Sequence, residues 1–206
     1  MYCSNCGAKV TGNFCSDCGA PLTAGQGGSV ALQDWKDETR YHVLLNFAEV
    51  RDLIARHAAQ ASKGLTGEQF LGLCDKVFHP LGPIPVSTAV SIIQPIYTRM
   101  GIQTGKERTA VLPTPPGKVV VAALCSLARY GRQLKQVREG EDGCVLEACL
   151  PSDFWSFEGN LVISIQHQGK STQVKAATRI GGQLFDWGKS TRCLNQLFED
   201  LDSLLN

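Results

Sequence analysis

The sequence predicts an α+β fold: a helix, a four-stranded antiparallel sheet and a second helix, preceded by a helical subdomain and a small cysteine-rich module. Three observations carry this expectation. Four of the nine cysteines fall within the first twenty residues. Hydrophobic residues then recur at helical spacing, and in the second half of the chain at strand spacing. The chain has 206 residues, 43% hydrophobic and 19% charged, enough to bury one good-sized core beside a small appendage.

Taken in order, residues 1–20 form the cysteine-rich module. Residues 21–31 (PLTAGQGGSVA) are uncharged and rich in glycine and other small side chains, the composition of a flexible tether. Residues 32–101 are predicted as the helical subdomain. Over 34–62, Val43, Phe47, Val50 and Ile54 recur at i, i+4, i+7 and i+11, and Lys63-Gly64 ends the run. Thr66 and Gln69 make a capping box for a second helix through Phe70, Leu73, Val77 and Phe78, stopped by His79-Pro80. Ser87 caps a third, reaching Arg99-Met100 with Gly101 behind it and a kink at Pro95.

Residues 102–206 form the predicted α+β domain. Residues 101–117, rich in Pro, Thr and Gly, read as a loop, and 118–130 as a buried helix closed by Gly131. Strand-like runs follow at 133–137, 144–150, 161–167 and 172–180, with apolar and polar residues alternating most plainly from Leu161 and from Val174. Turns at 139–143 and 168–171 suit antiparallel neighbours. Ser190 caps a last helix whose Leu194, Leu197, Phe198, Leu201 and Leu205 make an apolar stripe, so helices should cover one face of the sheet.

The chemistry is concentrated in the first twenty residues. Cys3-x2-Cys6-Gly7 and Cys15-x2-Cys18-Gly19 are two knuckles, tight turns whose thiolates converge, each followed by a glycine that permits positive φ. Four thiolates suit tetrahedral Zn2+, with Zn–S near ~2.3 Å, and leave no coordination position for an activated water. The expected cofactor is therefore one structural zinc held by Cys3, Cys6, Cys15 and Cys18. Through Tyr2, Cys3, Cys6, Gly7, Phe14, Cys15, Cys18 and Gly19 the stretch resembles the short zinc-ribbon family found at the N-termini of many bacterial proteins, a resemblance confined to residues 2–20. An iron–sulfur cluster also accepts four thiolates, but the symmetric knuckle–glycine pattern favours zinc. The other five cysteines, Cys74, Cys125, Cys144, Cys149 and Cys193, read as small buried apolar residues of a reducing compartment.

Charge excludes some functions and leaves one open. The net charge is +1, so no global field draws the chain to nucleic acid or anionic lipid. Residues 1–22 carry Lys9 and Asp17 as their charged side chains, too little for a phosphate-binding finger. Segment 99–138, however, sets eight cations (Arg99, Lys106, Arg108, Lys118, Arg129, Arg132, Lys135 and Arg138) against Glu107, a balance of +7. Residues 139–206 balance to −5, so these cations meet either RNA or DNA or the protein's own acidic half. Gly182-x5-Gly188-Lys189-Ser190 imitates a phosphate loop but is one residue too long between the glycines. His42, His57, His79 and His167 are dispersed, and no catalytic residue is assigned. Trp155 and Trp187 fall in connections, where aromatics plug the end of a sheet or form a partner patch.

No apolar run is long enough to span a membrane, and Met1-Tyr2-Cys3-Ser4 begins no secretory leader, so a cytoplasmic protein is expected. The favoured reading is a non-enzymatic, zinc-binding protein-interaction adaptor. The alternatives are a nucleic-acid-associated factor using 99–138, and a small-ligand binder or enzyme with a pocket near the Trp155 and Trp187 loops.

Overall fold

The computed structural model describes residues 34–61, 66–76, 78–80, 103–152, 157–181 and 187–206. The cysteine module, the linker, the third predicted helix and Trp155 lie outside the described residues. The chain divides into two units between Asp34 and Trp35, and the fold is that of the second, Trp35–Asn206. Its elements, in order, are a 3-10 turn at Trp35–Asp37, α1 (Tyr41–Leu44), α2 (Ala48–Ala58), α3 (Gly67–Lys76), β1 (Phe78–Pro80), β2 (Gln103–Thr104), β3 (Glu107–Leu112), α4 (Pro116–Arg129), β4 (Leu134–Gly140), β5 (Gly143–Leu150), β6 (Gly159–Gln168), β7 (Ser171–Gly181) and α5 (Lys189–Leu205).

The mixed α+β class is as expected, but the sheet is larger than four strands. A meander β4-β5-β6-β7 is extended by β3, which pairs antiparallel with β7 from Glu107↔Ala177 to Leu112↔Thr172. Five strands thus run antiparallel, and the short β1 (parallel to β4) and β2 (antiparallel to β7) bring the sheet to seven. β3 lies inside the stretch expected to be a loop. Its Pro- and Gly-rich flanks hide the alternation of Glu107–Leu112, and β7, eleven residues long, offers the partner edge that draws it in.

The helical half also differs from expectation in its boundaries. The single helix expected over 34–62 is broken, because Phe47 sits at φ −81°, ψ 123°, outside the helical region. Tyr41, Leu44 and Leu45 are consequently buried, where the unbroken pattern would have placed Val43 and Phe47. The capping box forms as predicted: the Thr66 N–H donates to Gln69 Oε1 (2.9 Å) and the Gln69 N–H to Thr66 Oγ1 (3.2 Å). α3 nevertheless stops at Lys76, and Phe78–Pro80 is a strand rather than the end of a helix. These helices do not close on a core of their own. Val50, Ile54, Phe70 and Cys74 join one apolar cluster with the sheet residues Leu146, Ile163 and Ile165 and with Leu197 and Phe198 of α5.

α4 organises this core. Twelve of its fourteen residues are buried, as a helix reading VVVAALCSLA requires. It ends in a Schellman motif: Gly131 is left-handed (φ 60°), its N–H donates to the Ala128 carbonyl (3.0 Å), and the Arg132 N–H donates to Leu127 (2.9 Å). At the other end Gly117 lies against the 3-10 turn, where a Cβ would meet the Trp35 and Lys36 carbonyl oxygens. Alternation on β5–β7 sends Leu146, Ile163 and Val174 to the helices, and leaves Val145 and Val162 as a small cluster on the opposite face.

Candidate functional site

The four cysteines that the sequence assigns to zinc lie outside the described residues, so the donor set itself is the argument for the metal. Among the described residues no three His, Cys, Asp or Glu side chains are grouped to hold an ion. The remaining five cysteines are free thiols. Four are buried as expected; Cys149 is half-buried, its Sγ donating to Glu158 Oε1 (3.4 Å). Burial pushes the thiol of Cys74 up to about 11 and that of Cys125 up to about 12, and raises Cys144 and Cys149 as well. These four therefore stay protonated near neutral pH, the form that neither attacks nor ligates.

Several cations of the basic segment bond residues of the acidic half, although Lys106, Arg108 and Lys135 remain exposed. Arg129 bonds Asp200 at 2.6 Å, and Asp200 also accepts from Ser126 Oγ at 2.7 Å. Arg132 donates to Gln196 (2.7 Å) and lies 4.7 Å from the centroid of the Tyr130 ring. Lys135 reaches both Glu158 (2.9 Å) and Asn160 (2.8 Å). Lys106 donates to Thr191 Oγ1 (2.7 Å), and Arg108 stacks 4.5 Å above Phe198. Arg138 bonds Gln136 at 2.6 Å. Sequence separation concealed these pairs: Arg129 and Asp200 are 71 residues apart. Only the packing of α5 beside α4 brings them together.

The turn before α5 departs from the expectations placed on it. Ser190 is not the cap. The N-cap is Gly188, left-handed at φ 79°, and Ser190 is buried within the first turn. Lys189 does not await a phosphate, because its Nζ donates to the carbonyls of Pro151 (2.7 Å) and Phe157 (2.9 Å). This clamp ties the turn to the connection between β5 and β6. On it, Trp187 stands at φ 36° with 67% of its surface exposed, and Phe157 is 61% exposed. Trp187 is therefore not a plug of the sheet end. A non-glycine residue at positive φ is uncommon, and for a bulky side chain it is a conformation that the surrounding structure must hold.

The histidines have separate surroundings. His42 Nδ1 meets Glu139 Oε2 at 2.7 Å. His57, on α2, is held below its ordinary pKa by burial and by the nearby Arg129 charge. His167, at the end of β6, donates its backbone N–H to the Asp142 carbonyl (2.7 Å). His79 falls on β1, in register with Arg138.

Among the described residues no helix is long and apolar enough to cross a membrane. Neither a family model, nor a curated protein, nor a solved structure matches the chain. Fold and site thus define a mixed α+β body with a clamped, aromatic turn at one end of its sheet.

Proposed function

We propose that this chain is a zinc-binding, non-enzymatic protein-interaction adaptor of the cytosol. One Zn2+ on Cys3, Cys6, Cys15 and Cys18 shapes the N-terminal ribbon, and the body supplies a second contact surface at Trp187. The observation that carries this reading is the exposed Trp187, kept at positive φ by a turn that Lys189 fastens to two carbonyls. A large amphipathic ring, two-thirds exposed on a clamped turn, offers much contact area for few rotatable bonds, and tryptophan is enriched among residues that dominate protein interfaces. The pairing of Arg129, Arg132 and Lys135 supports a protein partner over nucleic acid, since these cations already hold Asp200, Gln196 and Glu158. The four thiolates close the metal's coordination shell, which gives the zinc a structural part.

The test is affinity capture from the source cell with the full chain, Cys3→Ser/Cys18→Ser and Trp187→Ala compared side by side. The reading expects a protein recovered in stoichiometric amount by the native chain and depleted by both variants. Equal recovery by all three, or recovery of nucleic acid whose yield falls steeply with salt, overturns it.

A further inference from the structure

Behind the 3-10 turn lies an open cavity of about 130 Å3 that no feature of the adaptor reading uses. Its walls come from four elements: Trp35 from the turn, Leu53 and His57 from α2, Lys118 and Cys125 from α4, and Leu204 near the end of α5. The size is close to that of the roughly 150 Å3 apolar cavity that accepts one benzene. The lining is mostly hydrocarbon, with Cys125 contributing a protonated thiol.

Two polar groups interrupt this lining: a buried imidazole nitrogen and a partly exposed ammonium. His57 Nδ1 is buried with no hydrogen-bond partner. Lys118, three residues into α4, has neither an ion pair nor a hydrogen bond among the described residues, in contrast to the neighbouring cations Arg129, Arg132 and Lys135. A buried polar atom without a protein partner, as at His57 Nδ1, is uncommon in native structures and is met by a bound molecule or an ordered water. A few polar groups set in an apolar concavity are the pattern of a small-molecule site.

We propose that this cavity binds a small amphipathic carboxylate, its apolar part the size of one aromatic ring, with the carboxylate at Lys118. A single ammonium and one neutral imidazole match a monoanion. A phosphate dianion would ask for more donors, a forked arginine or a run of backbone N–H groups, than these walls present. The ring stacks among Trp35, Leu53 and Leu204.

Phenylacetate and its neutral counterpart benzyl alcohol test this by calorimetry at pH 7 on the full chain. Phenylacetate should bind one to one, and should shift the Trp35 indole N–H resonance, assigned through Trp35→Phe, while leaving that of Trp187 unmoved. Lys118→Gln, at a half-exposed position, should weaken phenylacetate about tenfold, the effect of one charge-assisted hydrogen bond, and leave benzyl alcohol unchanged. Ala122 of α4 also lines the cavity, so Ala122→Phe fills it and should abolish both. No binding of either probe at ten-millimolar concentration (about the weakest affinity of interest), or a shift at Trp187 in place of Trp35, overturns the site. Equal phenylacetate affinity in the native chain and Lys118→Gln overturns the carboxylate assignment.

Discussion

Trp187 at φ 36° and Gly188 at φ 79° are consecutive left-handed residues, and only one of them is the residue type that adopts this conformation without steric cost. A β-carbon there is worth roughly 1–2 kcal/mol of strain. Because the Trp187 ring is exposed, little burial offsets that strain. Trp187→Gly should therefore be more stable than Trp187→Ala by about 1 kcal/mol, read from urea midpoints, and both should lose partner capture. A Gly variant less stable than the Ala variant would show that the turn is not held against strain. At the other end of the described chain, Glu38 is buried and accepts from the Arg40 backbone N–H (2.8 Å), Nε (2.9 Å) and guanidinium NH2 group (2.7 Å). The Arg40 guanidinium holds its carboxyl below the ordinary value of 4.5. The unfolded chain then takes up this proton first as pH falls, so the contribution is complete above pH 4.5 and is lost as pH drops through the folded value. Since Arg40 is half-exposed, the contribution is about 1 kcal/mol at most. Stability curves of the native chain and Glu38→Gln should run apart above pH 5 (about half a unit above the ordinary carboxylate pKa) and converge below it; parallel curves at all pH would refute the assignment.

Between elements, the contact of α4 with α5 encloses one bridging carboxylate. Asp200 is 5% exposed and accepts from Ser126 and Arg129 on α4, so its removal strands a buried hydroxyl and a partly buried guanidinium. Breaking one side of such a pair costs about 3 kcal/mol. Asp200→Ala should show a loss of that size, whereas Ser126→Ala, which removes one neutral donor, should cost about 1 kcal/mol. If the two variants are equally mild, apolar packing of Leu197 and Leu201 holds the helices together and the carboxylate is incidental. The same pairing explains a sequence pattern. Of the cations over 99–138, Arg129, Arg132 and Lys135 each meet an acceptor from the acidic half, while Lys106, Arg108 and Lys135 stay exposed.

For the whole molecule, the division between Asp34 and Trp35 leaves the apolar cluster within the second unit. The ligands proposed for zinc lie close together in sequence, so metal binding, worth ~10–16 kcal/mol, should fold that segment and not the body. Purified protein is expected to carry about one zinc per chain, the stoichiometry of a single four-thiolate site, and to lose it in Cys3→Ser. Chelation should leave the melting transition of the body unmoved, and residues 32–206 should fold when expressed by themselves. A body that unfolds on chelation would make the ribbon part of its core, and a brown chromophore would replace zinc by an iron–sulfur cluster.

The sequence by itself determined what depends on neighbours along the chain. The Thr66–Gln69 capping box, the Gly131 stop after α4, the alternation of β6 and β7 and the α+β class all rest on interactions spanning a few residues, and short-range periodicity encodes them. The zinc proposed at Cys3, Cys6, Cys15 and Cys18 rests on the same kind of short-range spacing, and metal analysis is its test. Tertiary structure alone decided whatever needed a distant partner. β3 became a strand because β7 presents an edge to it, and Arg129 met Asp200 because α5 returns beside α4. Trp187 came to stand outward because Lys189 found two carbonyls some thirty residues earlier, at separations of 38 and 32. The cavity at His57 and Lys118 has walls from both ends of the unit, and no local pattern records it. Loop closure between such distant residues is governed by how helices and sheet share one core, and one-dimensional periodicity does not carry that information.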